Sequence, residues 1–129
     1  MSIDSVANCL TYLRNACLIK RPTVFIPFTK LNQELVRIFC NEGMVDAIKR
    51  YRVFFIVVRL KYEGRKRFSH IRGIQRVSRP GCRVYTKVTR IPSILGGLGL
   101  VVLSTSKGVL VDNLAQQLVV GGEILCRIW

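Results

Sequence analysis

Three hydroxyl side chains and one ammonium group follow a short apolar run near the end of the chain. Four apolar residues occupy positions 100–103, and the hydroxyl segment after them consists of Ser104, Thr105, Ser106 and Lys107. Hydroxyls donate and accept hydrogen bonds, so this combination suits phosphates, ribose hydroxyls and base edges. The bounded apolar run predicts a strand buried on both faces, which would hold these groups in fixed positions. The same four residues are also typical of an ordinary polar turn.

The glycines around the hydroxyl segment do not match the two common phosphate-binding loops. A Walker loop requires Gly-Lys-Ser/Thr at its end, whereas Lys107 precedes Gly108. A dinucleotide-binding fingerprint starting at Gly97 and Gly99 would need a third glycine where Val102 stands. The acidic residue expected about twenty residues later is also missing. We therefore predict no nucleotide cofactor.

The chain provides few groups for catalysis or metal binding. His70 is the only histidine, and the spacing of the three aspartates gives no support for a Ser-His-Asp arrangement. The few carboxylates do not occur in pairs that suit acid–base chemistry or metal coordination. The five cysteines are odd in number and lack C-x-x-C spacing, so reduced thiols are expected instead of a zinc site or disulfides. These features predict a binding protein without metal and not an enzyme.

The balance of charges indicates a polyanionic partner. The 129 residues include 21 Lys and Arg against 7 Asp and Glu, for a net charge of +14. Such a surface attracts nucleic acid first and an anionic membrane second. The longest apolar run, at positions 53–58, is far shorter than the roughly twenty residues of a membrane span. We therefore expect no membrane span and no secretory leader. The chain also lacks a strongly amphipathic basic helix, so we expect no membrane partner.

Most of the positive charge lies in the middle of the chain. Positions 49–90 contain 14 of the 21 basic residues and a single acidic one. Aromatic residues are interleaved with them, which is typical of a nucleic-acid-binding face. Arg76 and Arg83 fall on predicted strands and are expected to line that face. Phe54 and Phe55 are expected to belong to the core.

The apolar periodicity of the first half predicts an α-β-α-β-β order. A helix with an apolar stripe through Leu10 and Leu13 begins near Ser5, and a strand follows at positions 23–28. Thr29 is the expected N-cap of a second helix, which stops at Gly43. Strands at positions 45–51 and 53–62 are then expected to form a hairpin.

The second half is predicted to be rich in strands. Strands are expected at positions 71–77, 83–87, 100–103 and 123–129. A helical turn at positions 91–95 and a short helix at positions 112–119, capped by Asp112, separate them. The predicted fold class is α+β with two small lobes. Residues 1–66 are expected to form an α/β lobe, and residues 67–129 a strand-rich RNA-binding lobe.

Several stretches of the chain together resemble the small-subunit ribosomal protein eight family. They are IQRVSRPGCRVY at positions 74–85, GGLG with the segment that ends in STSKG at positions 96–108, and GGEILC at positions 121–126. LTYLRNA at positions 10–16 is similar to the first helix of that family. The ending GGEILCRIW and the segment RIPSILGG resemble its plastid branch. A plastid ribosome is therefore the expected location, with a bacterial cytoplasm or a mitochondrial ribosome as alternatives.

The resemblance implies a structural component of the small ribosomal subunit that binds the central domain of small-subunit ribosomal RNA and supports its assembly. It implies neighbouring ribosomal proteins as partners, and we expect no small-molecule substrate. In the C-terminal lobe it assigns RNA contact to Tyr85, to the hydroxyl segment, and to the turn with Gly122 and Glu123. In the first helix it assigns contact to Arg14 and Asn15.

The chain departs from the family pattern after the hydroxyl segment. The family usually has basic residues there, whereas this chain has VDN at positions 111–113 and then Gln116 and Gln117. The resemblance therefore gives little support for a phosphate contact from the short helix. Two other functions fit a basic binding module: a free-standing RNA- or DNA-binding regulator, and a protein of anionic membrane surfaces. Co-sedimentation with small ribosomal subunits separates the ribosomal function from the regulator.

Overall fold

The computed structural model describes residues 5–65, 68–92 and 99–129. The chain divides into two compact units, with residues 5–72 in the first and residues 73–129 in the second. Each unit combines helix with antiparallel sheet, so the predicted α+β fold class is confirmed. No helix in these described ranges is both long and apolar enough to cross a membrane.

The N-terminal unit places two helices against one face of a small antiparallel sheet. Its main sheet has the strand order β1-β3-β2, and β4 and β5 form a separate antiparallel pair. The elements are α1 (Ser5–Leu18), β1 (Thr23–Pro27), α2 (Lys30–Asn41), β2 (Val45–Tyr51), β3 (Phe55–Leu60), β4 (Tyr62–Glu63) and β5 (Phe68–Ser69).

Local sequence signals explain the helices of this unit. α1 buries the predicted stripe that includes Leu10 and Leu13. The hydroxyl of Thr29 accepts a hydrogen bond from the backbone N–H of Asn32 at 3.0 Å, which caps the start of α2 as predicted. Gly43 has φ of 79°, a left-handed conformation that favours glycine and ends the helical path.

The expectation that Phe54 and Phe55 belong to the core is wrong. Phe54 lies in the turn between β2 and β3 and is 72% exposed. Phe55 begins β3 on the outer face of the sheet, whereas Ile56 and Val58 point towards the helices and are buried. Because side chains alternate along a strand, one face of β3 fills the core and the other meets solvent.

The C-terminal unit is organised around its last strand. The sheet order is β6-β10-β8-β9, and β7 also pairs with β10. Its elements are β6 (Ile74–Arg76), β7 (Tyr85–Thr86), β8 (Leu100–Thr105), β9 (Gly108–Val111), α3 (Asp112–Gln117) and β10 (Gly122–Ile128), with a turn of 3-10 helix at Val88–Arg90.

The predicted strand buried on both faces is confirmed as the first part of β8. Val101 and Leu103 are fully buried, and they pack with Ala115 of α3 and Ile124 of β10. The strand is longer than predicted, because Ser104 and Thr105 belong to it and pair with both neighbouring strands. The sequence did not predict β9, which follows after a turn of only two residues.

Two local predictions in this unit need correction. The 3-10 turn lies at Val88–Arg90, before the predicted positions 91–95, of which 93–95 lie outside the described residues. The glycines at positions 96 and 97 also lie outside them. Asp112 is the first residue of α3 and not its cap, since Val111 occupies the N-cap position without a side-chain hydrogen bond.

Candidate nucleic-acid interface

The strand register of the C-terminal sheet brings five predicted contact residues together. Glu123 of β10 lies opposite Tyr85 of β7 on one side and opposite Ser104 of β8 on the other. On the next rung, Gly122 lies opposite Thr105 of β8 and opposite Thr86 of β7. Residues separated by up to 38 positions in the chain therefore occupy two adjacent rungs of one sheet.

The remaining predicted residues of the hydroxyl segment form the tip of the β8–β9 hairpin. Ser106 and Lys107 are exposed in the turn between the strands. The hydroxyl of Thr105 donates to the carbonyl of Gly108 at 2.8 Å and accepts from the backbone N–H of Lys107 at 3.1 Å. Thr105 thus holds the turn that presents the side chains of Ser106 and Lys107 to solvent. We call the two rungs and this tip the hairpin end.

Two consecutive glycines allow the strands of the hairpin end to approach closely. A Cβ at Gly122 would lie 2.2 Å from the carbonyl oxygen of Ser104, and one at Gly121 would lie 2.4 Å from that of Thr86. Neither position has room for a larger residue. The short helix was predicted to extend to position 119 and the last strand to begin at position 123, but α3 ends at Gln117 and Gly122 begins β10.

Glu123 directs its carboxylate into the unit. Its Oε1 accepts a hydrogen bond from the Ser78 hydroxyl at 2.7 Å and one from the Arg83 guanidinium at 2.9 Å. The Ser78 hydroxyl in turn accepts from the backbone N–H of Val84 at 3.1 Å. Glu123 therefore fastens the segment before β7 to β10. The sequence analysis assigned no role to Ser78, because the full burial that requires such a bond is a property of the fold and is not visible in the sequence.

The two predicted arginines of this unit occupy different environments. Arg76 is half-buried, and its guanidinium donates to the backbone carbonyl of Leu125 at 2.5 Å. Arg83 is exposed but pairs with Glu123. The unit as a whole has seven basic and two acidic side chains in positions 73–129, and Asp112 is buried. Its described surface is thus strongly positive without Arg76.

The two predicted residues of the N-terminal unit are adjacent on α1. Arg14 and Asn15 are both exposed, on the side opposite the buried Leu13 and Ala16. They belong to a separate compact unit from the hairpin end. They therefore form a second candidate contact.

The thiols of the buried Cys126 and the half-buried Cys17 are poor nucleophiles and metal ligands. Burial raises the pKa of Cys126 to about 12, although the charge of Arg76 acts in the opposite direction. Burial also raises the pKa of Cys17, against a smaller lowering by its hydrogen bond with Ser69. Within the described ranges, no group of three or more His, Cys, Asp or Glu side chains is placed to hold a metal ion.

Comparison with known proteins gives one consistent family. The family model of ribosomal protein S8 matches residues 4–129. Proteins named small ribosomal subunit protein uS8c are similar over nearly their full lengths. The one from Angiopteris evecta is 41% identical over 129 residues, covering 98% of each chain. Those from Marchantia polymorpha and Huperzia lucidula are 40% and 42% identical over 132 residues, covering all of each chain.

Proposed function

The chain belongs to the ribosomal protein S8 family, and from that premise we propose that its hairpin end binds the central domain of small-subunit ribosomal RNA. The protein is a structural, non-enzymatic component of the small subunit of the plastid ribosome. It works there by binding ribosomal RNA and neighbouring ribosomal proteins. The observation that supports the proposed site is the register that gathers Tyr85, Glu123 and Ser104 on one rung beside an exposed Ser-Lys turn.

The hairpin end suits an RNA helix because it combines hydroxyls, a cation and an aromatic ring on a rigid support. Lys107 is exposed at the tip and would neutralise a phosphate. The hydroxyl of Ser106 has the size and bonding capacity to pair with a ribose 2′-hydroxyl in the shallow minor groove of an A-form helix. Tyr85 is 69% exposed and would stack on an unpaired base at an irregularity of that helix.

Glu123 acts as an organising residue in this proposal. Its inward hydrogen bonds to Ser78 and Arg83 hold β7 and β10 in place, so it fixes the position of Tyr85 without bringing a negative charge to the RNA. Arg76 has a similar supporting role through Leu125. Arg14 and Asn15 would bind a second RNA segment, as the family resemblance implies.

The experiment compares Ser106→Ala, Lys107→Ala and wild type on cognate RNA and on DNA of the same sequence. Ser106→Ala should weaken RNA binding by about 1–3 kcal/mol because a partner in the complex is left unpaired. It should have almost no effect on DNA, which lacks the 2′-hydroxyl. Lys107→Ala should weaken binding to both and reduce the salt slope by about 0.7–0.9.

Lys30→Ala provides the matched control, since Lys30 is an exposed lysine at the start of α2 in the other unit. It should leave the difference between RNA and DNA unchanged. If Ser106→Ala weakens RNA and DNA binding equally, or if it weakens neither, the hydroxyl segment is only a turn and the proposed site is wrong.

A further inference from the structure

The outer face of the N-terminal sheet carries aromatic side chains that the hairpin end does not use. Helices α1 and α2 contact the sheet on its inner side, where Ile26 is fully buried. On the outer side, Phe25 is 56% exposed and Tyr51 is 43% exposed. Phe55 lies on the same side and is also exposed. Contiguous exposed aromatic residues on a soluble domain mark a surface for interaction.

The three rings form a continuous surface, which we call the aromatic platform. Tyr51 and Phe55 lie directly opposite each other on β2 and β3. Phe25 reaches both from β1, with its ring parallel to that of Tyr51 at 5.6 Å between centroids and 6.3 Å from that of Phe55. Because the rings stand on three neighbouring strands, the sheet fixes their spacing. The platform is therefore preformed.

Basic side chains surround the platform. The guanidinium of Arg52 lies 5.2 Å from the centroid of the Tyr51 ring. Lys49 lies opposite Val57, on the same rung as Phe25. The acidic residue in β2 and β3 is Asp46, and it pairs with Arg59 at 3.5 Å. The platform thus has a positive rim.

We propose that the aromatic platform binds unpaired nucleotides of RNA. Flat apolar rings stack with nucleotide bases, and a cationic rim attracts the phosphates that connect them. In a duplex the base faces are covered by neighbouring base pairs, so the platform selects single-stranded segments. A protein partner of the same surface would need an acidic and apolar face, whereas unpaired RNA supplies phosphates and apolar rings together. The platform lies in a different unit from the hairpin end, and it binds unpaired nucleotides whereas the hairpin end binds an RNA helix.

The test measures binding of the full chain to a labelled oligouridine of about ten nucleotides and to a blunt RNA duplex. The double variant Phe25→Thr/Tyr51→Thr replaces two rings with β-branched residues that suit strands. Its affinity for oligouridine should fall about tenfold or more, because each base that stacks on an aromatic ring contributes substantially. Its affinity for the duplex should stay within about twofold of wild type, since duplex base faces do not reach the rings.

Two control variants separate this proposal from a general loss of RNA binding. Phe68→Thr removes an exposed aromatic residue of β5 in the same unit, outside the sheet of the platform. Lys107→Ala alters the hairpin end. Both should retain oligouridine binding close to wild type, and Lys107→Ala should still lose binding to the cognate helix. Equal affinity of the double variant and wild type for oligouridine would overturn the proposal, and so would parallel losses on oligouridine and duplex.

A crosslinking measurement on the wild-type sequence removes the dependence on how well the variants fold. Oligouridine containing 4-thiouridine should crosslink to peptides from β1 and from the β2–β3 hairpin. Crosslinks confined to the C-terminal unit would contradict the proposal. In assembled small subunits, a benzophenone amino acid at position 25 should crosslink to RNA. Crosslinks to a ribosomal protein instead would identify the platform as a protein contact and overturn the proposal.

Discussion

The main sheets of the two units expose different parts of their strands to solvent. In the C-terminal unit, β8 is buried on both faces from Leu100 to Leu103, and the polar groups come only at its end. In the N-terminal unit, β3 alternates between the buried Ile56 and Val58 and the outward Phe55. The first sheet presents a strand end and the second presents a face. Accordingly, the arrangement of exposed groups in the C-terminal sheet depends on main-chain register, and that in the N-terminal sheet depends on side chains.

This difference predicts how each surface responds to mutation. At the hairpin end, Gly122 and Thr105 hold the backbone, so small changes there move several contact groups at once. On the aromatic platform the core lies on the opposite face of the sheet, so outer side chains can change while the sheet remains folded. Stability and binding should therefore be coupled in the C-terminal unit and separable in the N-terminal unit.

The largest effect is expected for Gly122→Ala. The added methyl group would lie 2.2 Å from the backbone oxygen of Ser104, so β10 must separate from β8. We expect the C-terminal unit to lose about 2–3 kcal/mol of stability. Amide hydrogen exchange should show this as faster exchange in β8 and β10, with α1 and β1 unchanged. Binding of cognate RNA should fall with it.

The matched control for this variant is Gly81→Ala. A Cβ at Gly81 meets no heavy atom within 4 Å, so this change should alter stability by less than about 0.5 kcal/mol. On the other sheet, Phe25→Thr should cost less than about 1 kcal/mol, because only cross-strand contacts on an exposed face are lost. Native-like exchange of β8 and β10 in Gly122→Ala would mean that the strand spacing at the hairpin end is adjustable.

The positions of helices and strands were easier to predict from the sequence than the pairing of strands and the exposed faces of the sheets. The helices of the first unit followed from the stripe through Leu10 and from the cap at Thr29, which are local signals. The hydroxyl segment was found because its residues are consecutive. Pairing of Ser104 with Glu123 across 19 positions was not predictable from spacing, because register depends on the whole sheet. The strand β9 was missed because residues 108–111 continue directly from a polar turn.

The aromatic platform shows why an apolar run led to a wrong prediction of burial. Phe54 and Phe55 stand in an unbroken apolar run, which favours burial in a simple interpretation. The alternation of Phe55, Val57 and Arg59 on one side of β3 was visible in the sequence, and a charged residue at the end of that series indicates an outward face. Arg59 was thus the signal for exposure of the neighbouring aromatic ring.

An intermediate effect is expected for Glu123→Ala. This change leaves the fully buried Ser78 hydroxyl without its acceptor, which should cost about 1 kcal/mol, since the hydroxyl still accepts from the backbone N–H of Val84. The loss of the Arg83 pair adds less than about 1 kcal/mol, because the Arg83 side chain is 46% exposed. Thermal unfolding measures the sum, and RNA affinity should fall as Tyr85 loses its fixed position.

A double-mutant cycle with Ser78→Ala tests the assignment of that energy. If the two residues act through their hydrogen bond, the combined variant should be more stable than the two separate losses predict. Strict additivity would show that Glu123 stabilises the unit in another way. A variant that keeps normal stability but loses RNA binding would instead make Glu123 a direct contact, and the contrast with the N-terminal sheet would disappear.

The smallest effect on stability is expected for Arg52→Gly. This variant tests whether RNA binding by the N-terminal unit can change while its stability does not. Arg52 has φ of 55° in the turn between β2 and β3, a left-handed conformation that costs a non-glycine residue about 1–2 kcal/mol. Glycine relieves this strain, but the greater freedom of the unfolded chain offsets about 0.5–1 kcal/mol of the gain. Loss of the contact with the Tyr51 ring offsets roughly another 0.5–1 kcal/mol. The net change in unfolding free energy should therefore be close to zero.

The salt slope for oligouridine binding by Arg52→Gly should nevertheless fall by about 0.7, since one phosphate contact is lost. Arg52→Asn, which tolerates the same φ, should give the same slope. A reduced slope at unchanged stability would mean that the strained arginine is kept for its charge, whereas an unchanged slope would place the phosphates elsewhere.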